Sequence, residues 1–239
     1  MELIYGRHVV ALALAPGARR PVRHVFGTSA ALRAAGIDRH AGRVRVTEVG
    51  QPDLDELVGS GDHQGLVAEV GPYRYADIDE VLAGDLVVAL DEVTDPRNLG
   101  AVARTALACG AAGIVVTRHR SAPVSGAAVK ASAGATEHLP IAQVTNLRRA
   151  LQQAQQRGFW VYGASGAASQ SYLDVDLPER VVLVLGSEGR GLRRLTAESC
   201  DELLALPMAG PVSSLNVSVA AAVLLYDVRR RRTAPEAGR

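Results

Sequence analysis

Six short apolar runs spread through the last two-thirds of the chain leave few choices of fold. Leu86–Leu90 and Val181–Leu185 are each five consecutive apolar residues, short for a buried helix and without the alternation of a half-exposed strand. Runs of that kind suit strands covered on both faces. Ile114–Val116, Ile141–Val144, Trp160–Tyr162 and Leu203–Leu206 repeat the pattern, with helical stretches such as Leu147–Gln156 between them. Asp95 followed by Pro96 is a strong helix start, the carboxylate as cap and the proline at the first helical position. Leu99, Val102, Ala103 and Ala106 then give a buried stripe, and Gly110 ends it. Strand and helix in repeated alternation predict an α/β fold with a mostly parallel sheet. With 48% hydrophobic but only 4% aromatic residues, the core is built from Ala, Val and Leu.

The first seventy residues read as a smaller α/β unit. Gly6–Ala15 is predicted helical, Val22–Gly27 a strand, Ser29–Ala35 a helix closed by Gly36, Val44–Val46 a strand, Asp53–Val58 a helix and Leu66–Val70 a strand. Gly71-Pro72 punctuates its end. The expected division is a first domain over 1–72, a linker with a short acidic helix over 73–84, a second domain over 85–232 and a mobile tail over 233–239. The net charge of +1 conceals segregation: residues 1–45 carry eight Arg against Glu2 and Asp38, whereas 46–95 carry thirteen acids against Arg74 alone. Basic blocks suggest a polyanionic partner, although solvated faces explain charge runs equally well. No segment approaches the ~20 apolar residues of a membrane span, and the start Met1–Arg7 lacks the pattern of a secretion signal. A cytoplasmic protein without a membrane partner is expected, with Cys109 and Cys200 as reduced packing residues.

The first strand-to-helix turn carries no G-x-G-x-x-G, and Gly110–Gly113 and Gly163–Gly166 do not replace it. There is no P-loop, no G-x-S-x-G and no Cys/His cluster for a metal. Three motifs remain. Asn98, Gly100 and Arg104 open a small-residue helix. Were both in the helix, Asn98 and Arg104 would stand about 240° apart, so convergence requires Asn98 in the preceding turn. Gly186-Ser187-Glu188-Gly189-Arg190-Gly191 sets one carboxylate in a glycine loop after a buried strand, where backbone can approach a ligand closely. Ser213-Ser214-Leu215-Asn216 precedes an apolar helix. Taken singly, each has a plain structural reading: a capping amide with a surface charge, a tight turn with an exposed acid, a helix cap.

Taken in order, the three motifs resemble the signatures of the SpoU (TrmH-like) RNA ribose 2′-O-methyltransferases, over roughly Val87–Arg230. Tyr5–Val10 and His63-Gln64-Gly65 are similar to the substrate-binding domain of the 23S rRNA guanosine methyltransferase branch. The resemblance implies a SPOUT-type α/β trefoil knot behind a small ribosomal-protein-like N-terminal domain, and a homodimer formed through the knotted domain. It implies S-adenosylmethionine as donor, S-adenosylhomocysteine as product and no metal. Carried over by position, Gly186, Leu206, Leu215, Met208 and Gly210 would hold the cofactor. Arg104, Asn98, Glu188, Ser214 and Asn216 would form the catalytic centre, and Arg7, Arg19, Arg20, Arg23, Arg190 and Arg193 would contact RNA. The implied substrate is a guanosine in the P-site loop of 23S rRNA, on naked RNA or a ribosomal assembly intermediate. Methylation of tRNA or another rRNA site, and a non-catalytic RNA-binding factor, are the alternatives.

Overall fold

The computed structural model describes residues 2–233 except 38–41, 43 and 213, so Ser213 and all of the expected 233–239 tail but Thr233, which is helical, lie outside the described residues. Two sheets organise the chain. The first has four strands in the order β1-β4-β2-β3: β1 (Glu2–Tyr5), β2 (Val22–Gly27), β3 (Arg45–Glu48) and β4 (Leu66–Val70). β1 and β2 pair antiparallel with β4, and β3 runs parallel to β2. Sequence reading missed β1, because four residues at an edge carry too little pattern. Helices α1 (Arg7–Leu14), α2 (Ser29–Ala35) and α3 (Gln51–Val58) complete this unit.

The short helix α4 (Ile78–Val81) leads into the second sheet. Its seven strands are β5 (Leu86–Asp91), β6 (Gly113–Thr117), β7 (Ile141–Val144), β8 (Trp160–Ala164), β9 (Gln170–Ser171), β10 (Val181–Gly186) and β11 (Glu202–Ala205). They order as β7-β6-β5-β10-β8-β11-β9, and every pairing is parallel. Burial on both faces explains the continuous apolar runs. In β5, Leu86, Val88 and Leu90 enter one core, while Val87 and Ala89 enter the other. The first core receives α5 (Pro96–Ala108) and α9 (Val217–Thr233); the second receives α7 (Leu147–Gln156) through Leu147, Ala150, Leu151 and Ala154. Helices α6 (Gly126–Ala131) and α8 (Arg194–Ala197) complete the set.

α5 begins as its sequence dictates: Asp95 accepts from the Arg97 amide at 2.8 Å, with Pro96 at the first helical position. Gly100 lets α5 and α6 touch, since a Cβ there would stand 2.3 Å from the Ala128 carbonyl oxygen.

The two sheets share one apolar core, in which Ile4, Val10, Val25 and Leu66 join Leu86, Val88 and Leu99. A fully buried guanidinium, Arg20, crosses the seam. Its Nε lies 2.9 Å from Glu137 Oε1, Nη1 lies 3.1 Å from Glu2 Oε1, and Nη2 donates to the Val124 carbonyl at 3.0 Å. The expected linker is packed down as well: Tyr73 donates its hydroxyl to the Thr136 carbonyl, and the Ala76 amide bonds Ile141.

Candidate functional site

The carboxyl ends of β8, β10 and β11 frame a cavity of about 930 Å³. Openings at strand ends where the sheet order reverses are the usual ligand sites of α/β proteins, and this volume lies in the range of small-molecule pockets, ~300–1,000 Å³. Four chain segments line it: Ala164–Ala167 at the end of β8, Gly186–Leu192 after β10, Leu206–Met208 after β11, and Ser214–Val217 at the head of α9. Of the five expected cofactor residues, Gly186, Leu206, Leu215 and Met208 line the cavity, and Gly210 does not. Gly210 stands exposed in the turn beyond Met208, where nothing crowds it. Gly186 is there for space: a Cβ would lie 2.0 Å from the Gly191 carbonyl carbon and 2.3 Å from the Leu192 nitrogen. Gly189 and Gly191 adopt φ of 79° and 67°, and the Gly191 amide closes the loop onto the Ser187 carbonyl at 2.9 Å.

That loop presents Glu188 to two amides from distant segments. Asn98 Nδ2 donates to Glu188 Oε1 at 2.9 Å, and Asn216 Nδ2 donates both to the same oxygen and to Asn98 Oδ1, the latter at 3.1 Å. Asn216 also caps α9, its Oδ1 accepting from the Ser218 amide at 2.8 Å and from the Ser218 hydroxyl at 2.6 Å. Its capping and site readings are therefore both satisfied by one side chain. Residues 98, 188 and 216 come from the three motifs and meet at one point. Ser214 lines the cavity without a hydrogen bond among the described residues.

Arg104 does not join them. Pro96 and Asp95 start α5 ahead of Asn98, so Asn98 lies within the first helical turn rather than before it. Six residues on, about 240° around the axis, Arg104 is exposed, and no hydrogen bond or ion pair among the described residues fixes its side chain.

The arginines expected to meet RNA separate into two groups. Arg7, Arg23 and Arg190 are exposed, and Arg190 lines the cavity mouth. Arg20 is wholly buried in the seam between the sheets, so its side chain is not an RNA contact. Arg19 is largely enclosed and paired with Glu80. Arg193 is committed to the end of β5: its amide and Nε donate to Asp91 at 2.9 and 2.7 Å, and Nη1 lies 3.1 Å from Glu92. Arginine count in the sequence records charge, and says nothing about which carboxylates the fold brings beside each one.

Sequence reading also missed Ala164, Ser165, Gly166 and Ala167, which form one wall of the cavity after β8. The signal lies in Gly163–Gly166, small residues at a strand end that form no dinucleotide fingerprint. No group of three or more His, Cys, Asp or Glu placed to hold a metal occurs among the described residues.

Known proteins share this chain's sequence pattern and fold. The SpoU rRNA Methylase family matches residues 85–226, and the RNA 2′-O ribose methyltransferase substrate-binding family matches residues 3–76. The 23S rRNA (guanosine-2′-O-)-methyltransferase RlmB of Pseudomonas aeruginosa is 44% identical over 250 residues, covering 97% of each chain. Its counterpart in Pseudomonas syringae is 42% identical over 245 residues, covering 98% of this chain and 97% of that one. Among solved structures, the SpoU methyltransferase AviRb of Streptomyces viridochromogenes, in complex with AdoMet, superposes with a TM-score of 0.82 at 28% identity, over 99% of this chain and 91% of that one. The parallel sheet with its strand-end cavity is thus the SPOUT methyltransferase architecture, and the chain belongs to the SpoU rRNA methylase family.

Proposed function

We propose that this protein transfers a methyl group from S-adenosylmethionine to the 2′-hydroxyl of a guanosine in 23S rRNA, within the P-site loop of the peptidyl-transferase centre. The observation that carries this reading is the bonded triangle of Asn98, Glu188 and Asn216 at the cavity, which unites the three family motifs. The near-full-length likeness to RlmB proteins supports the guanosine and the 23S substrate.

The cavity suits the cofactor. Gly186, Leu206 and Leu215 line it, Gly186 bare so that the Gly191–Leu192 side of the cradle can pack against it, and the small residues Ala164–Ala167 add a further wall. Bound there, S-adenosylmethionine would supply a methyl group on a sulfonium, which needs no metal to be electrophilic. The chain's own part is orientation. Glu188 holds Asn98 and Asn216 through one oxygen, and its Oε2 forms no hydrogen bond among the described residues, leaving it to accept from a ligand. Holding donor and hydroxyl in line is worth up to ~7–11 kcal/mol in favourable cases. Arg104 is a poor base, because a guanidinium stays protonated below pH ~12. Exposed on α5 and turned from the triangle, Arg104 grips the phosphate beside the target ribose from the RNA side and lowers the hydroxyl pKa by its charge.

The remaining parts of the reading are a first domain over 1–72 that binds RNA, a connector over 73–84, a knotted domain over 85–232, a cytoplasmic location and a homodimer. Arg7, Arg23 and Arg190 are the RNA contacts kept in it. Exposed Leu107 on α5 and Val219 and Tyr226 on α9 support a dimer through the second domain, since apolar side chains of that size are seldom left in water together. The test is transfer of labelled methyl to separate pools of unmodified 23S rRNA, 16S rRNA and tRNA, with the ribose mapped. Label at a single guanosine of 23S rRNA is the expected result. Label in tRNA or 16S rRNA would keep the chemistry and refute the substrate, and no label with cofactor bound would favour a non-catalytic RNA-binding factor or a particle as substrate.

A further inference from the structure

A second cavity, of about 440 Å³, opens at the other end of the sheet. Trp160 begins β8 and Glu202 begins β11, so the opening lies at the amino ends of parallel strands whose carboxyl ends frame the first cavity. Trp160 and Tyr162 are two residues apart on one strand and share a face, with ring centroids 6.4 Å apart. Tyr162 is the register partner of Glu202 on the next strand. Gln170, Asp174 and Asp176 close the rim.

Trp160 is 45% exposed, an unusual place for the chain's single tryptophan. Around it stand three carboxylates, and among the described residues none of Asp174, Asp176 and Glu202 forms an ion pair. The guanidinium of Arg231 lies under the same loop, but its donors are spent: Nε pairs with Asp227 at 2.7 Å, Nη1 bonds the Val175 carbonyl at 2.6 Å, and Nη2 bonds the Tyr172 carbonyl at 3.0 Å. Arg231 therefore pins the rim in place, and its charge is answered by Asp227, which Arg230 shares, rather than by an ion pair with any of the three rim carboxylates. The Tyr162 hydroxyl adds a second fastening, donating to the Asp176 carbonyl at 3.2 Å. The cleft is built in advance: an aromatic wall, an anionic rim and a fixed loop.

We propose that this cleft is a docking site for an arginine-bearing, basic segment of a protein partner. A guanidinium stacks on an indole face and can donate to several carboxylates at once. An unpaired carboxylate rim repels phosphates, which separates this face from RNA binding. A volume of about 440 Å³ exceeds what one guanidinium fills, leaving room for flanking residues of a peptide. The proposal does not depend on the methyl-transfer reading.

The single tryptophan sits in the cleft, so its emission reports occupancy directly in the full-length protein. The probe is a blocked arginine–glycine–serine peptide, with controls in which glutamine replaces arginine, free arginine amide, and a short rRNA fragment. Expected is a saturable change in tryptophan emission with the arginine peptide only. In the isosteric variant Asp174→Asn/Asp176→Asn/Glu202→Gln, binding should be weaker by about tenfold or more. Trp160→Leu, read by anisotropy of a labelled peptide, should lose a comparable factor. An absent or non-saturable response, or equal affinity in the neutralised variant, would overturn the proposal. So would free arginine amide binding as tightly as the peptide, which would make the occupant a small cation. Competition by the rRNA fragment would make it an RNA contact and would refute the protein partner.

Discussion

Gly186→Ala tests the cavity most directly, because the clash it creates is with backbone. The new Cβ would sit 2.0 Å from the Gly191 carbonyl carbon, 2.2 Å from its oxygen and 2.3 Å from the Leu192 nitrogen. Carbon atoms in comfortable contact are ~3.5–4.0 Å apart, so Gly191–Leu192 must retreat by about 1.5 Å. No rotamer change can relieve this, which places the cost toward the upper part of the ~1–3 kcal/mol usual for overpacking. At ~2–4 °C per kcal/mol for a chain of this size, the melting temperature should fall by roughly 5–10 °C. Gly191 closes the loop onto Ser187 with Glu188 between them, so its displacement stretches the bonds from Asn98 and Asn216. A misplacement of ~1 Å at a reacting centre costs about 100-fold in rate. Calorimetric titration of cofactor, a thermal melt and single-turnover methyl transfer should therefore all fall together. Gly189→Ala is the control: nothing lies within 4 Å of its Cβ position, and only its φ of 79° opposes the change. It should cost about 1–2 kcal/mol of stability and little cofactor affinity. Wild-type melting and cofactor binding in Gly186→Ala would refute the cradle.

Arg104→Ala should abolish methyl transfer with cofactor affinity near wild type, as loss of a transition-state contact requires; equal loss of cofactor binding would make the arginine structural. Glu188→Ala should lower turnover at least about tenfold by stranding two amide donors, with Glu188→Gln recovering part of it; equal activity of all three proteins would remove the triangle from the site. Glu137 should give a pH signature. Burial lifts its carboxyl from the ordinary 4.5 to about 7, against the pull of Arg20 and with help from Glu2. Between those values the folded chain holds a proton that the unfolded chain has lost, so stability should fall as pH rises from about 4.5 through 7. Glu137→Gln should flatten the melting temperature across that window; an unchanged slope would assign the effect to other groups.

The packed seam also bears on truncation. Cutting at residue 72 would remove Arg20, leave Glu137 without its partner and uncover the apolar seam around it. Separating the units therefore requires repair of that position, and Glu137→Gln in the shortened chain is the first repair to try.

Sequence alone determined the parallel sheet, the start of α5 and the three motif segments. Those features are local: apolar runs of strand length, a cap followed by proline, and glycines around one carboxylate all act through neighbours in the chain. It could not place the arginines, because a guanidinium's role depends on which carboxylate stands opposite. Arg20 meets Glu137 across more than a hundred residues, and Arg193 meets Asp91 across 102. The helix start two residues ahead of Asn98 already implied that Arg104 turns away from Asn98; what the sequence could not show is which distant segments Asn98 would meet. The wall at Ala164–Ala167 and the Trp160 cleft belong with these. Both are made where parallel strands distant in sequence end side by side, and only the packed sheet decides which ends are neighbours.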